Sequence, residues 1–209
     1  MPSVYDLKPK FQATLRPLVR TLARSGVTAN QVTLFAVFLS VCQGLLIALY
    51  PTSWWALAMM PFTLLLRMGL NAIDGMLARE FDQKSRLGAI LNELGDVISD
   101  AFLYLPLAFV PMVSAPATVL FVLSAVIVEF AGIAALQVGS ERRYDGPMGK
   151  SDRAFWIGLF SVLVAGGWIN SLGASIYFIV LLFLSTVSVW NRCRQALLVQ
   201  TPLHTPTEA

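Results

Sequence analysis

The sequence predicts an all-α integral membrane protein: six transmembrane helices plus an amino-terminal amphipathic helix lying in the membrane interface. Three observations point there. Of 209 residues, 56% are hydrophobic and 13% are charged, against about 25% charged in an ordinary soluble domain. Residues 25–66, 101–128 and 154–191 carry no charge, in runs of 42, 28 and 38 residues. A bilayer core of ~30 Å takes about 20 helical residues, so the first and third runs each hold two spans. Lastly, all 15 Lys and Arg fall on one side of a six-span arrangement. Together these exclude a disordered chain, a secreted domain and a nucleic-acid module.

Residues 1–30 are too polar and too long for the leading part of a signal peptide, and no small-residue cleavage site follows an apolar core, so the segment is expected to stay on the protein. Within it Phe11, Leu15, Leu18, Val19 and Leu22 recur at helical spacing while Arg16, Arg20 and Arg24 form a separate stripe, the pattern of a helix on an anionic membrane surface. Pro17 is expected near its start. Gly26 ends that helix, and Thr28 or Asn30 caps a first span over about 31–50. Further spans follow over about 53–72, 89–110, 116–138, 153–168 and 172–191, separated by Pro, Gly or charge, with kinks expected at Pro61 and Pro106. The positive-inside rule then places both termini and the 73–88 and 139–152 loops in the cytoplasm. The whole is read as one domain over 1–209: a cytoplasmic amphipathic segment at 1–30, a six-helix bundle at 31–191 and a cytoplasmic tail at 192–209. Cys42 and Cys193 suggest neither a disulfide framework nor a zinc site, and the single histidine, His204, sits in the tail. Acid and base chemistry therefore falls to carboxylates.

Charged side chains within or beside membrane spans mark function by default. Asp74 follows the second span, and Glu93, Asp96 and Asp100 lie on the third, where Gly88, Asn92, Asp96 and Asp100 repeat every four residues along one face. Asn71 and Asp74 share a face of the preceding helix, so a short loop sets the two polar stripes opposite each other. Facing Asp and Asn oxygens suit a hard divalent cation, Mg²⁺ or Mn²⁺, that also binds substrate phosphates. The rival reading has helix-end polar residues held by Arg67, Arg79 and Arg86.

The run from Asn71 to Arg79, eight intervening residues, and the run from Gly88 to Asp96 resemble the signature of the CDP-alcohol phosphatidyltransferase family, D-x2-D-G-x2-A-R-x8-G-x3-D-x3-D. Every spacing is intact, and six spans with an amphipathic amino-terminal helix agree with the family. The resemblance implies transfer of a phosphatidyl group from CDP-diacylglycerol to an alcohol acceptor, with release of CMP, by a homodimer in a membrane, a bacterial inner membrane by our reading, with membrane lipids and no nucleic acid as partners. It implies that Asp74 is a metal ligand and Asp96 the base, and that Gly75, Ala78, Arg79 and Gly88 surround the nucleotide and its diphosphate. Two departures matter. The first and third acidic positions are Asn71 and Asn92, so matching positions offer two negative charges where a two-metal site sets four against four positive ones. Glu93 and Asp100 stand nearby as replacement ligands, which leaves a rearranged two-metal site, a one-metal enzyme and an inactive, lipid-binding relative as alternatives.

For the acceptor, the polar stretch from Glu141 to Arg153 is the largest after the motif. Its Gly149-Lys150-Ser151 is no P-loop, because Tyr144 stands where that motif needs Gly and no strand precedes it. A helix amino-terminus capped by Ser151 and flanked by Lys150 and Arg153, with Arg192 and Arg194 closing the last span from the same side, suits an anion. The expected acceptor is a phosphorylated polyol such as glycerol 3-phosphate or an inositol phosphate. A neutral alcohol is the rival, and Glu129, midway along the fourth span, lines the same cavity or pairs with an Arg.

Overall fold

A computed structural model describes residues 4–198, with side chains from Phe11 onward. The Pro/Thr-rich end of the tail, with His204, lies outside the described residues. Every regular element among the described residues is helical: α1 (Val4–Arg24), α2 (Ala29–Leu49), α3 (Trp54–Ala58), α4 (Met60–Glu80), α5 (Arg86–Tyr104), α6 (Ala115–Ala134), α7 (Lys150–Ala165) and α8 (Ser171–Leu197), with short 3₁₀ turns after α5 and α6. Four segments are long and apolar enough to cross a membrane: Ala29–Leu49, Trp54–Glu80, Ala115–Val138 and Ser171–Leu197. The chain is thus an integral membrane protein. α5 and α7 fall short of that standard because the first carries three carboxylates and the second is 16 residues long and opens on Lys150, Asp152 and Arg153.

Local sequence explains most boundaries. Gly26, at φ +77°, closes α1 with the Val27 N–H bonded to the Leu22 carbonyl at 3.0 Å, the left-handed glycine ending that an L side chain disfavours. Thr28 caps α2 in a reciprocal box with Gln31. Three expectations change. Pro17 lies inside α1 rather than near its start, and the helix continues through it at the loss of one backbone bond. Pro61 and Pro106 do not kink long helices: Pro61 sits in the first turn of α4, where a missing N–H costs nothing, and Pro106 opens the 3₁₀ turn that ends α5. α7 begins at Lys150 with Gly149 as its cap, the Asp152 Oδ2 accepting the Gly149 N–H at 3.0 Å, so Ser151 is within the first turn instead of capping it.

α2 packs along both α4 and α5, and α6 along α8. Lipid tails offer no hydrophobic drive for such contacts, so close approach at small residues matters. At Gly44 of α2 an added Cβ would collide with the Phe102 carbonyl oxygen of α5, and at Gly158 of α7 it would rest on Pro61. One core joins Ile47, Leu64, Leu103, Phe121, Phe160 and Phe178. A second, at the other end, packs Val19 of α1 against Ala29 and Val32 of α2 and Ile73 and Leu77 of α4. Arg16 adds a two-pronged bond to Glu80 at 3.0 and 3.1 Å. Both side chains are open to solvent, which screens the pair, so the apolar contacts of Val19 hold α1 more than this bond does. The outer surface is apolar, with Phe38, Leu65, Phe130 and Phe183 all more than 60% exposed.

Candidate active site

Arg67, Asn71 and Asp74 fall at i, i+4 and i+7 on one face of α4, and Asn92, Asp96 and Asp100 repeat every four residues on α5. The two stripes meet as the spacing predicts. Asn71 donates Nδ2 to Asp96 Oδ1 at 3.0 Å, and Arg67 donates to the same oxygen at 3.2 Å and to Asp100 Oδ1 at 2.6 Å. Asp96 Oδ2 accepts from Lys150 Nζ, at the start of α7, at 2.7 Å. Asp74 is arranged differently: its Oδ2 accepts from the Thr33 hydroxyl of α2 at 2.8 Å, and it has no ion-pair partner among the described residues.

Behind this layer lies a chain of buried charge. Arg153, wholly buried, bonds Asp100 Oδ2 through Nε at 2.8 Å, Glu129 Oε1 through Nη2 at 3.0 Å, and the Met148 carbonyl at 2.9 Å. Glu129 also takes Arg142 at 3.0 Å and lies 3.6 Å from Arg192, and it lines the cavity as well, so both expected placements hold. Arg142 bridges back to Glu93 at 2.6 Å. Groups this costly in a membrane persist because each finds its counter-charge.

A cavity of about 670 Å³ opens over these residues. Asn71, Asp74, Gly75, Arg79 and Asn92 line one side, Arg142, Tyr144, Lys150 and Arg192 the other, and Phe11 and Gln12 of α1 close part of its mouth. Of the residues singled out from the sequence, several are not brought to its wall. Asp96 sits just behind Asn71 and Lys150. Asp100 and Glu93, offered as replacement metal ligands, are consumed by Arg67, Arg153 and Arg142. Arg153, expected to meet the acceptor, has its guanidinium saturated by internal partners, and Arg194 is exposed away from the cavity. Ala78 packs under α1, Gly88 lets α5 approach Asn30 of α2, and the space over Gly75 is filled by the Arg79 guanidinium, 3.1 Å from where a Cβ would be. Sequence reasoning missed Arg142, Tyr144 and Thr33. The first two were hidden among the basic residues every cytoplasmic loop of this topology carries, and a threonine in an apolar helix gives no signal by itself.

Among the described residues no three His, Cys, Asp or Glu side chains gather as a metal site. On the motif side of the wall the oxygen donors are the Asp74 carboxylate and the amides of Asn71 and Asn92, and with its Nδ2 given to Asp96, Asn71 keeps Oδ1 as an acceptor; the other two carboxylates lining the cavity are engaged, Glu129 by Arg142 and Arg153 and Asp152 by the Gly149 N–H. One negative charge with two amides suits a single hard divalent cation that completes its shell with phosphate oxygens and water.

Comparison with known proteins bears on this geometry. The chain is 45% identical over 205 residues, 96% of its length and 100% of the relative's, to the inner membrane protein YnbA of Escherichia coli (strain K12). Its fold matches the Mycobacterium tuberculosis phosphatidylinositol phosphate synthase (PgsA1) with CDP-DAG bound, at a TM-score of 0.72 and 20% identity over 87% of this chain and 92% of that one. The same enzyme in complex with manganese and citrate gives 0.71 at 21% identity, over 87% and 88%. The sequence profile of the CDP-alcohol phosphatidyltransferases covers residues 26–190, a stretch that contains the whole cavity apart from Phe11, Gln12 and Arg192, and the chain belongs to that family.

Proposed function

We propose that this protein transfers a phosphatidyl group from CDP-diacylglycerol to a phosphorylated polyol, releasing CMP. The observation that carries the reading is the single cavity joining the motif's wall, Asn71, Asp74, Gly75 and Arg79, to a cationic wall of Arg142, Lys150 and Arg192. Asp74 with the amide oxygens of Asn71 and Asn92 would hold a divalent cation, Mg²⁺ or Mn²⁺, which when bound would supply neutralisation of the diphosphate charge. Arg79 orients the same diphosphate from the next helical turn. The acceptor hydroxyl oxygen forms a bond to the phosphatidyl phosphorus, the bond from that phosphorus to CMP breaks, and Asp96 takes the hydroxyl proton. Lys150, whose side chain is 39% exposed and bonds Asp96 Oδ2 at 2.7 Å, connects that base to the cavity. Arg142 supports an anionic acceptor, because its Nε is buried without a hydrogen-bond partner, and an unmet donor at a cavity edge favours an anion.

The test is CMP release by purified protein given CDP-diacylglycerol, Mn²⁺ and a panel of alcohols. Glycerol 3-phosphate or an inositol phosphate should support it and free glycerol, inositol, choline or serine should not. Arg142→Ala should lower kcat/KM for the acceptor by the equivalent of ~1.5–3 kcal/mol and leave CDP-diacylglycerol binding nearly unchanged. Turnover of neutral alcohols alone overturns the acceptor assignment, and no CMP with any alcohol leaves a non-catalytic lipid-binding relative.

The same reading takes α5 and α7 as the remaining two of six spans, their charges neutralised within the bundle, and α1 as an amphipathic helix on the membrane surface, in a single domain that acts as a homodimer, as the family resemblance implies. On this reading both termini and the 73–88 and 139–152 loops face the cytoplasm of an inner membrane, supported by the positions of the 15 basic residues. Cysteines introduced singly at Ser114 and Glu141, with Cys42 and Cys193 replaced, should react with an impermeant thiol reagent from outside and inside respectively. The reverse labelling overturns the orientation.

A further inference from the structure

The two motif carboxylates differ in one respect. Asp74 lines the cavity with a hydroxyl as its partner and no ion pair among the described residues, whereas Asp96 is already countered by Lys150 at 2.7 Å and Arg67 at 3.2 Å. Two further positions that would bring negative charge to this place are amides, Asn71 and Asn92, and Asn71 spends its Nδ2 on Asp96. The remaining carboxylates nearby are engaged: Glu93, Asp100 and Glu129 by Arg142, Arg67 and Arg153, and Asp152 by the Gly149 N–H. A second divalent cation beside Asp96 would therefore meet an ammonium and a guanidinium across one carboxylate. Like charges on either side of one carboxylate repel, which disfavours the second ion there.

We propose that the Lys150 ammonium stands where a second divalent cation would otherwise sit, so that this protein works with one divalent ion per chain, on Asp74, and a built-in monovalent cation on Asp96. The inference rests on the phosphatidyl-transfer reading above. It accounts for the two departures from the acidic signature together with the lysine at the first position of α7: two carboxylates fewer match one divalent ion fewer, and the Lys150 ammonium takes the place on Asp96 that the absent ion would hold. Lys150 acts through Asp96, fixing the position of its carboxylate at 2.7 Å, and is a positioning residue.

The test counts Mn²⁺ bound to the full chain, purified in detergent and saturated with CDP-diacylglycerol, by electron paramagnetic resonance. One ion per chain with an isolated six-line spectrum is expected. Asn71→Asp with Asn92→Asp, which restores both carboxylates and keeps Lys150, should still bind one ion tightly. Adding Lys150→Met to that pair should admit a second, with the spectrum broadened by a neighbour about 4 Å away, and Lys150→Arg in its place should not. Two ions per chain in the unaltered protein overturn the proposal, and that measurement needs no variant to fold. Equal affinity for a second ion with and without Lys150 also overturns it. CMP release read on the same preparation separates the outcomes: release with two bound ions removes the lysine's role and leaves phosphatidyl transfer standing, whereas no bound Mn²⁺ and no release removes both.

Discussion

Replacing Asp74 by Ala is expected to abolish metal-dependent CMP release, and Asp96→Asn to slow it by about 10²-fold or more, the scale of a lost general base. The two losses should differ in kind. Asp74 carries the only carboxylate on the cavity wall among the motif residues, so its removal should also abolish Mn²⁺ binding in the presence of CDP-diacylglycerol. Asp96→Asn keeps the shape and the contacts with Arg67 and Asn71 but removes basicity, so Mn²⁺ should still bind while turnover falls. Glu93→Gln provides the contrast: its carboxylate faces Arg142 at 2.6 Å rather than the cavity, and Mn²⁺ affinity should change little. Unchanged CMP release in both Asp variants would remove these residues from the chemistry, and a Glu93→Gln variant that loses metal as Asp74→Ala does would restore a rearranged ligand set.

The motif half of the site was legible because helical spacing is local. Asn71 and Asp74 on one helix and Asn92 and Asp96 on the next must share faces once each segment is helical, and Thr28 and Gly26 mark boundaries by their own chemistry. What was not legible is the choice of partner among charges distant in sequence. Nothing in the spacing of Arg67, Asp100, Glu129 and Arg153 says which will pair, since contacts 24 to 53 residues apart depend on how α4, α5, α6 and α7 pack. Arg153 and Lys150 looked alike as basic residues at the start of a span, and the helical turn separates them. Three residues apart on α7, Lys150 reaches the cavity and Asp96, while Arg153 points into the bundle. Pro17 was misplaced for a different reason. Propensity forbids proline in the interior of an isolated helix, but the packing of Val19 against α2 and α4 outweighs one missing backbone bond.

Arg153→Met should lower the stability of the folded bundle by about 3–5 kcal/mol, the cost of removing one partner from a buried ion pair, and its unfolding midpoint in detergent by on the order of 10 °C. Methionine approximates the volume of the arginine stem, so the loss is of charge and hydrogen bonds rather than of packing. Asp100 would keep Arg67, and Glu129 would keep Arg142 and Arg192, which holds the cost within that range instead of abolishing folding. The Met148 carbonyl would lose its donor as well, loosening the approach to Gly149 and the start of α7, where Lys150 is set against Asp96. A smaller loss of turnover should therefore accompany the loss of stability. Arg194→Met is the control: it removes the same charge from an exposed position and should change stability by less than about 0.5 kcal/mol. If thermal unfolding of the two variants in the same detergent gives equal midpoints, the buried network contributes nothing to holding α5, α6 and α7 together.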